Sequence, residues 1–261
     1  MLSLKDSEFE YIAKHIKDNY GVNLTKKKNL IESRLANYVT GLGFDSYMDY
    51  FQYAQKEPSR QEMVTMINKL TTNYTYFLRE NSHFEFFRDN VLPWVEYELK
   101  TKDLCLWSAG CSSGQEPYTL SMFTFEYLGG RSAGWETTIL ASDISNKVLT
   151  IGKEGVYTDE QVAEIPSSWL KAYFQKDVAG AYKVNQRLRD NVAFRNVNLL
   201  EPFTFRKKFH AIFCRNVMIY FDNPTKDALI NKYYDCLVPG GYLFVGLSES
   251  LSTCGHRFQY V

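Results

Sequence analysis

The spacing of apolar residues divides the chain into a helical part and a part in which strands alternate with helices. A first helix is indicated by apolar side chains three and four positions apart, at Phe9, Ile12, Ile16 and Tyr20. Gly21 marks its end. Amphipathic runs over residues 30–42 and 63–70 indicate two more helices, and no strand pattern precedes residue 80. The sequence therefore predicts an all-helical unit at the start.

Two Ser-x-x-Glu patterns predict the starts of further helices. Ser59-x-x-Glu62 precedes the run that ends at Leu70, and Ser82-x-x-Glu85 precedes an aromatic run. In such a capping box the serine side chain and the glutamate side chain each accept a backbone N–H of the first turn. We expect a box of this kind at each position.

After residue 103 short apolar runs alternate with amphipathic stretches. The runs are Leu104–Trp107, Thr138–Ala141, Val192–Phe194, Ala211–Cys214 and Tyr242–Gly246. This alternation predicts a parallel sheet with crossover helices, an α/β fold of Rossmann-like type. The more polar stretch 157–191 predicts an insertion with a short β-hairpin. We expect a helical domain and linker over 1–80 and a sheet domain over 81–261.

Composition narrows the function classes. Of 261 residues, 45% are hydrophobic and 23% charged, with no net charge, so no basic excess indicates nucleic acid. The five cysteines are widely spaced and lack zinc spacing, so no metal site is expected. No signal peptide or apolar membrane span is evident, which predicts a cytoplasmic protein without membrane insertion.

The segment 104–118 carries the first candidate chemistry. A buried strand runs into the small-residue turn Ser108–Gly114, and a helix opens near Gln115. This arrangement is typical of nucleotide- or nucleoside-binding corners in open α/β sheets. Glu116 at the helix entrance would repel a pyrophosphate and favour a cation such as S-adenosylmethionine, which indicates a methyltransferase. The alternative is that Glu116 only interacts with the helix dipole.

Polar residues also follow two other predicted strands. Asp143 ends the second strand, where a carboxylate accepts hydrogen bonds from a ribose diol. Its alternative role is to cap the helix that starts at Ser145. Arg215 and Asn216 follow the fourth strand, at the edge where open sheets bind ligands. Their alternative roles are a surface charge and a turn residue.

Two polar clusters lie outside the predicted sheet. Residues 71–80 include three threonines and one asparagine, and we expect this segment to form a lid over the ligand rather than a plain linker. Lys26, Lys27, Lys28 and Arg34 are interpreted as a basic face of the second helix. That face would dock an acidic protein helix, or else it is only solvated.

At these residues the chain resembles the CheR family of chemotaxis-receptor glutamate O-methyltransferases. The resemblance is carried by four segments, which are Thr72–Glu80, Ser108–Tyr118, Ala141–Ile144 and Phe213–Phe221. It implies a small all-α N-terminal domain followed by a class I S-adenosylmethionine-dependent methyltransferase domain with a small β-subdomain insertion. It also implies transfer of a methyl group to glutamates of chemoreceptor cytoplasmic helices, with S-adenosylhomocysteine as product.

The resemblance further implies site residues by position. Cofactor contacts are expected at Asn73, Thr75, Arg79, Glu116, Asp143, Asn198, Leu199, Arg215 and Asn216. Arg79 and Tyr220 are expected beside the transferred methyl group, as the catalytic residues. The turn within 174–182 is shorter than in family members that tether to a receptor C-terminal pentapeptide, so we expect pentapeptide-independent docking by a monomer.

Two other functions stay open at this stage. One is a methyltransferase that acts on a different protein or on a small acid. The other is a cofactor-binding regulator that docks on a receptor array without turnover. Glutamyl methyl esters hydrolyse in mild base whereas N-methyl groups do not, so product chemistry separates the enzymatic readings, and an activity assay separates both from the regulator.

Overall fold

A computed structural model describes residues 2–71, 74–251 and 255–261, so the predicted contact at Asn73 lies outside the described residues. The N-terminal part is helical, as predicted. Its helices are α1 (Asp6–Tyr20), α2 (Lys28–Gly41), α3 (Tyr47–Lys56) and α4 (Gln61–Leu70). Gly21 ends α1 with a φ of 76°, which is favourable for glycine. The prediction missed α3, although Ser46 caps it by accepting the N–H of Asp49.

The capping box predicted at Ser59 is wrong, because the side chain of Glu57 takes both of the roles expected of Ser59 and Glu62. Glu57 accepts the backbone N–H groups of Ser59 and Glu62, at 2.8 and 3.3 Å. The carboxylate of Glu62 instead accepts the hydroxyls of Tyr38 and Tyr50, at 2.7 and 3.0 Å. A buried tyrosine hydroxyl needs a partner, and that requirement prevails over local capping.

A longer helical stretch leads from the helical domain to the sheet. It comprises α5 (Ser82–Phe86) and continues through two π-helical segments, Phe87–Val91 and Trp94–Glu98. The second predicted box is also wrong. The side chain of Asn81, not that of Ser82, bonds Glu85, with 2.8 Å between Nδ2 and Oε1.

The five predicted strands form one parallel sheet. They are β1 (Asp103–Ala109), β2 (Glu136–Asp143), β6 (Val192–Asn196), β7 (Phe209–Cys214) and β8 (Leu237–Val245), in the order β6-β2-β1-β7-β8. Three crossover helices accompany them, which are α6 (Gln115–Leu128), α7 (Asn146–Glu154) and α10 (Asn223–Cys236). This topology confirms the Rossmann-like α/β prediction. Strand β8 starts earlier than predicted, because Leu237 already pairs with Phe209 of β7. The Pro-Gly-Gly segment of β8 then causes a register shift before the next pair, Tyr242 with Ala211.

The insertion forms a second, antiparallel sheet. Its strands are β3 (Val156–Tyr157), β4 (Phe174–Lys176) and β5 (Tyr182–Val184), in the order β3-β5-β4, with short helices α8 (Ser167–Tyr173) and α9 (Gln186–Asp190). The predicted hairpin is thus present, between β4 and β5. Asp177 tightens its turn by accepting the N–H groups of Ala179 and Ala181.

The helical domain packs on the carboxyl edge of the large sheet. The N–H of Asn23 donates to the carbonyl of Tyr220 at 2.7 Å, and Asn68 Nδ2 lies 2.9 Å from Ser145 Oγ. Lys17 Nζ lies 2.7 Å from a carboxylate oxygen of Asp222. Among the described residues, no helix is long and apolar enough to cross a bilayer.

Asp222 provides a test of this domain contact. Its Oδ1 caps α10 by accepting the N–H of Thr225, and Lys17 together with that cap lowers the pKa of the carboxyl to about 2. A folded-state pKa below the unfolded value stabilises the fold at neutral pH, and this contribution is lost as pH falls toward 2. Asp222→Asn should lower the free energy of unfolding by about 1 kcal/mol at pH 7, after allowance for solvent screening.

Urea unfolding at pH 7 and pH 3 measures this effect, and the difference between wild type and variant should be smaller at pH 3. Asp18→Asn removes the exposed pair with Lys14 on the same helix and serves as the control, with a smaller expected effect. Equal losses in the two variants at pH 7 would show that the Asp222 pair contributes nothing special.

Candidate functional site

A cavity of about 370 Å³ opens at the carboxyl edge of the large sheet, between the two domains. Its volume suits a small-molecule ligand. The structure brings together there every predicted site residue that it describes. These residues are Thr75, Arg79, Glu116, Asp143, Asn198, Leu199, Arg215, Asn216 and Tyr220. The expected lid segment also lines the cavity, through Tyr74, Thr75, Tyr76 and Arg79.

The turn after β1 depends on glycine at Gly110. This residue has a φ of 85°, and a Cβ there would clash with Cγ2 of Val217. The N–H of Gly110 donates to the carbonyl of Ser142 at 2.8 Å, which holds the turn against the end of β2. The backbone can therefore approach a ligand closely at this point.

Asp143 fixes the shape of that turn. Its two carboxylate oxygens accept the backbone N–H groups of Ser112 and Ser145, at 2.9 and 3.0 Å. The helix-capping alternative for Asp143 is wrong, because α7 begins at Asn146 with Ser145 as its N-cap residue and has no side-chain cap. The bond to Ser145 closes a local turn before that helix. Burial raises the pKa of the Asp143 carboxyl, and the backbone N–H donors oppose that shift.

Glu116 lies in the first turn of α6 and has two side-chain partners. Its Oε1 accepts the hydroxyl of Ser108 at 2.7 Å, and its Oε2 lies 3.1 Å from Nη1 of Arg215. Burial raises the pKa of the Glu116 carboxyl above its usual value, and the positive charge of Arg215 offsets only part of that increase. The carboxylate thus belongs to a buried ion pair in addition to its place near the helix dipole.

Arg215 is not a surface charge, so that alternative is wrong. Its side chain is only 2% exposed, and Nη2 lies 3.1 Å from Oε2 of Glu80. The same nitrogen bonds the carbonyl of Arg79. Burial disfavours the charge of Glu80, but a bond from Asn216 and the charge of Arg215 prevail and lower the pKa of its carboxyl. Glu80 was not among the predicted site residues.

A second carboxylate that the sequence analysis missed, Glu249, pins the loop after β7. It accepts the N–H groups of Asn216, Gly246 and Ile219, at 2.8, 2.7 and 3.0 Å. Burial raises the pKa of its carboxyl. Asn216 has a φ of 58°, a left-handed conformation that this loop requires. One sequence feature could have indicated Glu249, because an acidic residue follows the last predicted strand at the same edge of the sheet.

Arg79 and Tyr220 both line the cavity. Nη1 of Arg79 donates to the carbonyl of Tyr74 at 2.5 Å, and its guanidinium lies 5.9 Å from the centre of the Tyr76 ring. Tyr220 follows β7 and receives the backbone bond from Asn23 described above. The two side chains therefore reach the cavity from the linker and from the β7 loop.

The helical domain supplies part of the cavity wall, which the sequence did not indicate. The contributing residues are Tyr20, Val22, Ile67 and Asn68. The apolar periodicity marks Tyr20 and Ile67 only as helix core. Asn198 is tied to this domain, because its Nδ2 donates to the carbonyl of Asn19 at 3.0 Å.

The predicted basic face is only partly correct. Lys26 and Lys27 precede α2, and Lys26 adopts a left-handed φ of 65° in the turn before it. Lys28 begins the helix and pairs with Asp6 at 2.6 Å. Arg34 Nη1 bonds the carbonyl of Leu70 at the end of α4. The four cations thus do not form one helical stripe, because Lys26 and Lys27 lie before the helix and the other two have structural partners.

Comparisons with known proteins agree over nearly the whole chain. The model "CheR methyltransferase, all-alpha domain" matches residues 7–71, and "CheR methyltransferase, SAM binding domain" matches residues 73–261. The chemotaxis protein methyltransferase of Borreliella burgdorferi is 37% identical over 255 residues, covering 96% of this chain and 90% of that protein. Its Escherichia coli counterpart is 33% identical over 262 residues, covering 98% and 89%. The chain therefore belongs to the CheR family of S-adenosylmethionine-dependent chemotaxis protein methyltransferases.

Proposed function

We propose that this protein methylates glutamate side chains in the cytoplasmic helices of chemoreceptors, forming glutamyl methyl esters. The observation that carries the proposal is the buried group of Glu116, Arg215 and Glu80. We call the part of the cavity that Glu116 and Arg215 line its inner end. The names of the relatives, chemotaxis protein methyltransferases, support the receptor as substrate. The chemistry of the cavity supports a glutamate acceptor, because the described lining residues include no histidine or lysine that could act as a general base.

The order of strand ends suggests how the cofactor lies. Glu116 follows β1, Asp143 ends β2, and Asn198 follows β6, and these three strands are neighbours in the sheet. We assign the amino group of the cofactor to Glu116, its ribose to Asp143, and its adenine to the Asn198-Leu199 end. Within the described residues, Nε of Arg215 is a buried donor without an acceptor, which fits a ligand carboxylate nearby.

Negative charge around the inner end favours a cationic ligand. Three carboxylates, those of Glu116, Glu80 and Asp143, lie in or beside the cavity with two guanidinium groups, those of Arg215 and Arg79. S-adenosylmethionine brings a sulfonium and an ammonium, and its methyl group is the electrophile. The same surroundings would disfavour a pyrophosphate, which agrees with the sequence-based reading of Glu116.

A carboxylate acceptor needs no general base. A glutamate with a pKa of about 4.3 is ionised at neutral pH. The described residues that line the cavity include neither histidine nor lysine, and the carboxylates of Glu116 and Asp143 are occupied by hydrogen bonds. We assign Arg79 and Tyr220 to orient the acceptor carboxylate. The remaining contribution is alignment and exclusion of water, since charge is neutralised as the methyl moves.

For receptor recognition we propose docking through the basic residues at the start of α2, by a cytoplasmic monomer. The tight turn of the β4–β5 hairpin supports docking without a pentapeptide tether, because the carboxylate of Asp177 closes that turn over five residues by accepting the N–H groups of Ala179 and Ala181. Of the four basic residues, Lys26 and Lys27 are the best candidates for docking, since neither forms an ion pair within the described part of the chain, whereas Lys28 pairs with Asp6.

Cofactor affinity tests the assignment of Glu116 and Asp143. Glu116→Gln and Asp143→Asn should each weaken S-adenosylhomocysteine about tenfold or more, because a hydrogen bond to a charged group contributes about 1.5–3 kcal/mol. Calorimetry on the folded variants measures this. Asp177→Asn lies in the distant hairpin turn and is the matched control, expected to bind normally. Wild-type affinity in both site variants would refute the placement.

The reaction itself is tested with labelled S-adenosylmethionine and receptor cytoplasmic domains. We expect label on the receptor that mild base releases, as methyl esters require. Arg79→Ala and Tyr220→Phe should lower turnover at saturating cofactor at least tenfold, which is more than they weaken S-adenosylhomocysteine, since both are assigned to the acceptor.

Base-stable label would point to another acceptor atom, and absence of label with every receptor would favour a regulator without turnover. Normal turnover in Arg79→Ala or Tyr220→Phe would remove that residue from the catalytic assignment. Tyr76→Phe changes a neighbouring cavity residue and is the control for general disturbance of the site.

Recognition is tested by charge reversal before α2. Lys26→Glu with Lys27→Glu should reduce the rate of receptor methylation several-fold at low salt, and the difference should shrink as salt screens the contact. Affinity for S-adenosylhomocysteine should not change. Lys153→Glu with Lys171→Glu reverses two charges elsewhere and should leave the rate near wild type. An unchanged rate would identify the basic residues as a solvated surface, and micromolar binding of a receptor C-terminal pentapeptide would refute tether-free docking.

A further inference from the structure

A second cavity, of about 380 Å³, lies directly beyond the adenine end of the cofactor cavity. It opens between the start of α4 and the segment that follows β6. Four residues line both cavities, namely Tyr20, Ile144, Val197 and Asn198. The two spaces are therefore neighbours that share a wall, and that wall is formed where the cofactor cavity meets β6, the edge strand of the large sheet.

The direction of the cofactor determines which of its atoms faces the shared wall. The proposed placement runs from Glu116 past Asp143 to Asn198, so the base lies farther toward the sheet edge than the ribose. The part of adenine farthest from the ribose is the six-membered ring with its 6-amino group. C8, in contrast, lies on the ring that is bonded to the ribose. The 6-amino group is therefore the one directed at the second cavity.

The lining of the second cavity is mainly polar. The lining provides amides, a hydroxyl, two opposite charges and an aromatic ring, from Gln61, Asn146, Asn196, Ser59, Arg60, Glu201 and Phe203. Asn196 is fixed in place, because its Nδ2 donates to the carbonyl of Ile144 at 2.7 Å and to Oδ1 of Asn146 at 3.0 Å. Amides and hydroxyls offer both donors and acceptors to a polar ligand group.

We propose that the second cavity is an extension of the adenine subsite, which accepts a polar aromatic or hydroxyl-bearing group attached to the 6-amino nitrogen of the cofactor. The protein would then bind N6-substituted S-adenosyl compounds and reject compounds substituted at C8. This inference rests on the proposed placement of adenine beside Asn198 and Leu199. It concerns which cofactors the site admits and is independent of the protein that is methylated.

The probe is S-adenosylhomocysteine carrying a 4-hydroxybenzyl group on N6, compared by calorimetry with the parent compound and with its 8-benzylamino derivative. The wild-type protein should bind the N6 probe within about threefold of the parent, and the C8 probe at least tenfold more weakly. An N6 probe that binds more than tenfold more weakly than the parent overturns the proposal, as does equal binding of both derivatives.

Substitution at Gln61, which lines only the second cavity, tests the location. Gln61→Trp should weaken the N6 probe at least tenfold and leave the parent compound unchanged, whereas Gln61→Ala should weaken neither. Normal binding of the parent also shows that the variant is folded, and Gln61→Phe replaces it if tryptophan prevents folding. In Gln61→Trp, equal weakening of both ligands, or normal binding of both, overturns the proposal.

These outcomes separate the inference from the proposed function. If Glu116→Gln and Asp143→Asn bind the parent compound normally, the cofactor placement fails and the inference fails with it. If those variants lose affinity while the N6 probe is rejected by the wild type, only the inference fails. Receptor methylation takes no part in either measurement.

Discussion

The buried guanidinium of Arg215 is the interaction on which the site depends. It joins Glu116 at the start of α6, Glu80 at the end of the linker, and the carbonyl of Arg79. Together with Arg215 itself, these groups come from three segments that are far apart in sequence. A buried charge that loses its partner is strongly destabilising, at about 3–5 kcal/mol, so each segment is held where the other two require it. The ion group thus determines the geometry of the inner end of the cavity.

Around this group the backbone itself is fixed by carboxylates. Asp143 holds the turn after β1, and Glu249 holds the loop after β7, each through backbone N–H groups. Loops at the carboxyl edge of a parallel sheet have no ladder partners of their own, so side chains must satisfy them. Burial raises the pKa of both carboxyls, and the backbone donors offset part of that shift. Rigid loops of this kind suit a site that works by alignment rather than by proton transfer.

Local sequence patterns predicted those elements whose formation depends on residues close together in the sequence. All five strands of the large sheet, the small-residue turn and the helix at Gln115 follow from short-range patterns. Both capping boxes were wrong. Glu62 bonds Tyr38 and Tyr50, which lie on other helices, and Glu85 bonds Asn81 rather than the start of the helix. The predicted site residues that the structure describes all line one cavity. Glu80 and Glu249 were missed because their roles arise only when separate segments meet.

The helical domain was predicted as a separate unit, yet it also closes the site. Tyr20 and Ile67 form part of the cavity wall, and the backbone of Asn23 bonds that of Tyr220, a residue assigned to the acceptor. The backbone bond between Asn23 and Tyr220 joins the helical domain to the β7 loop. The domain contact that forms part of the cavity wall therefore also positions Tyr220, the side chain that we assign to the acceptor.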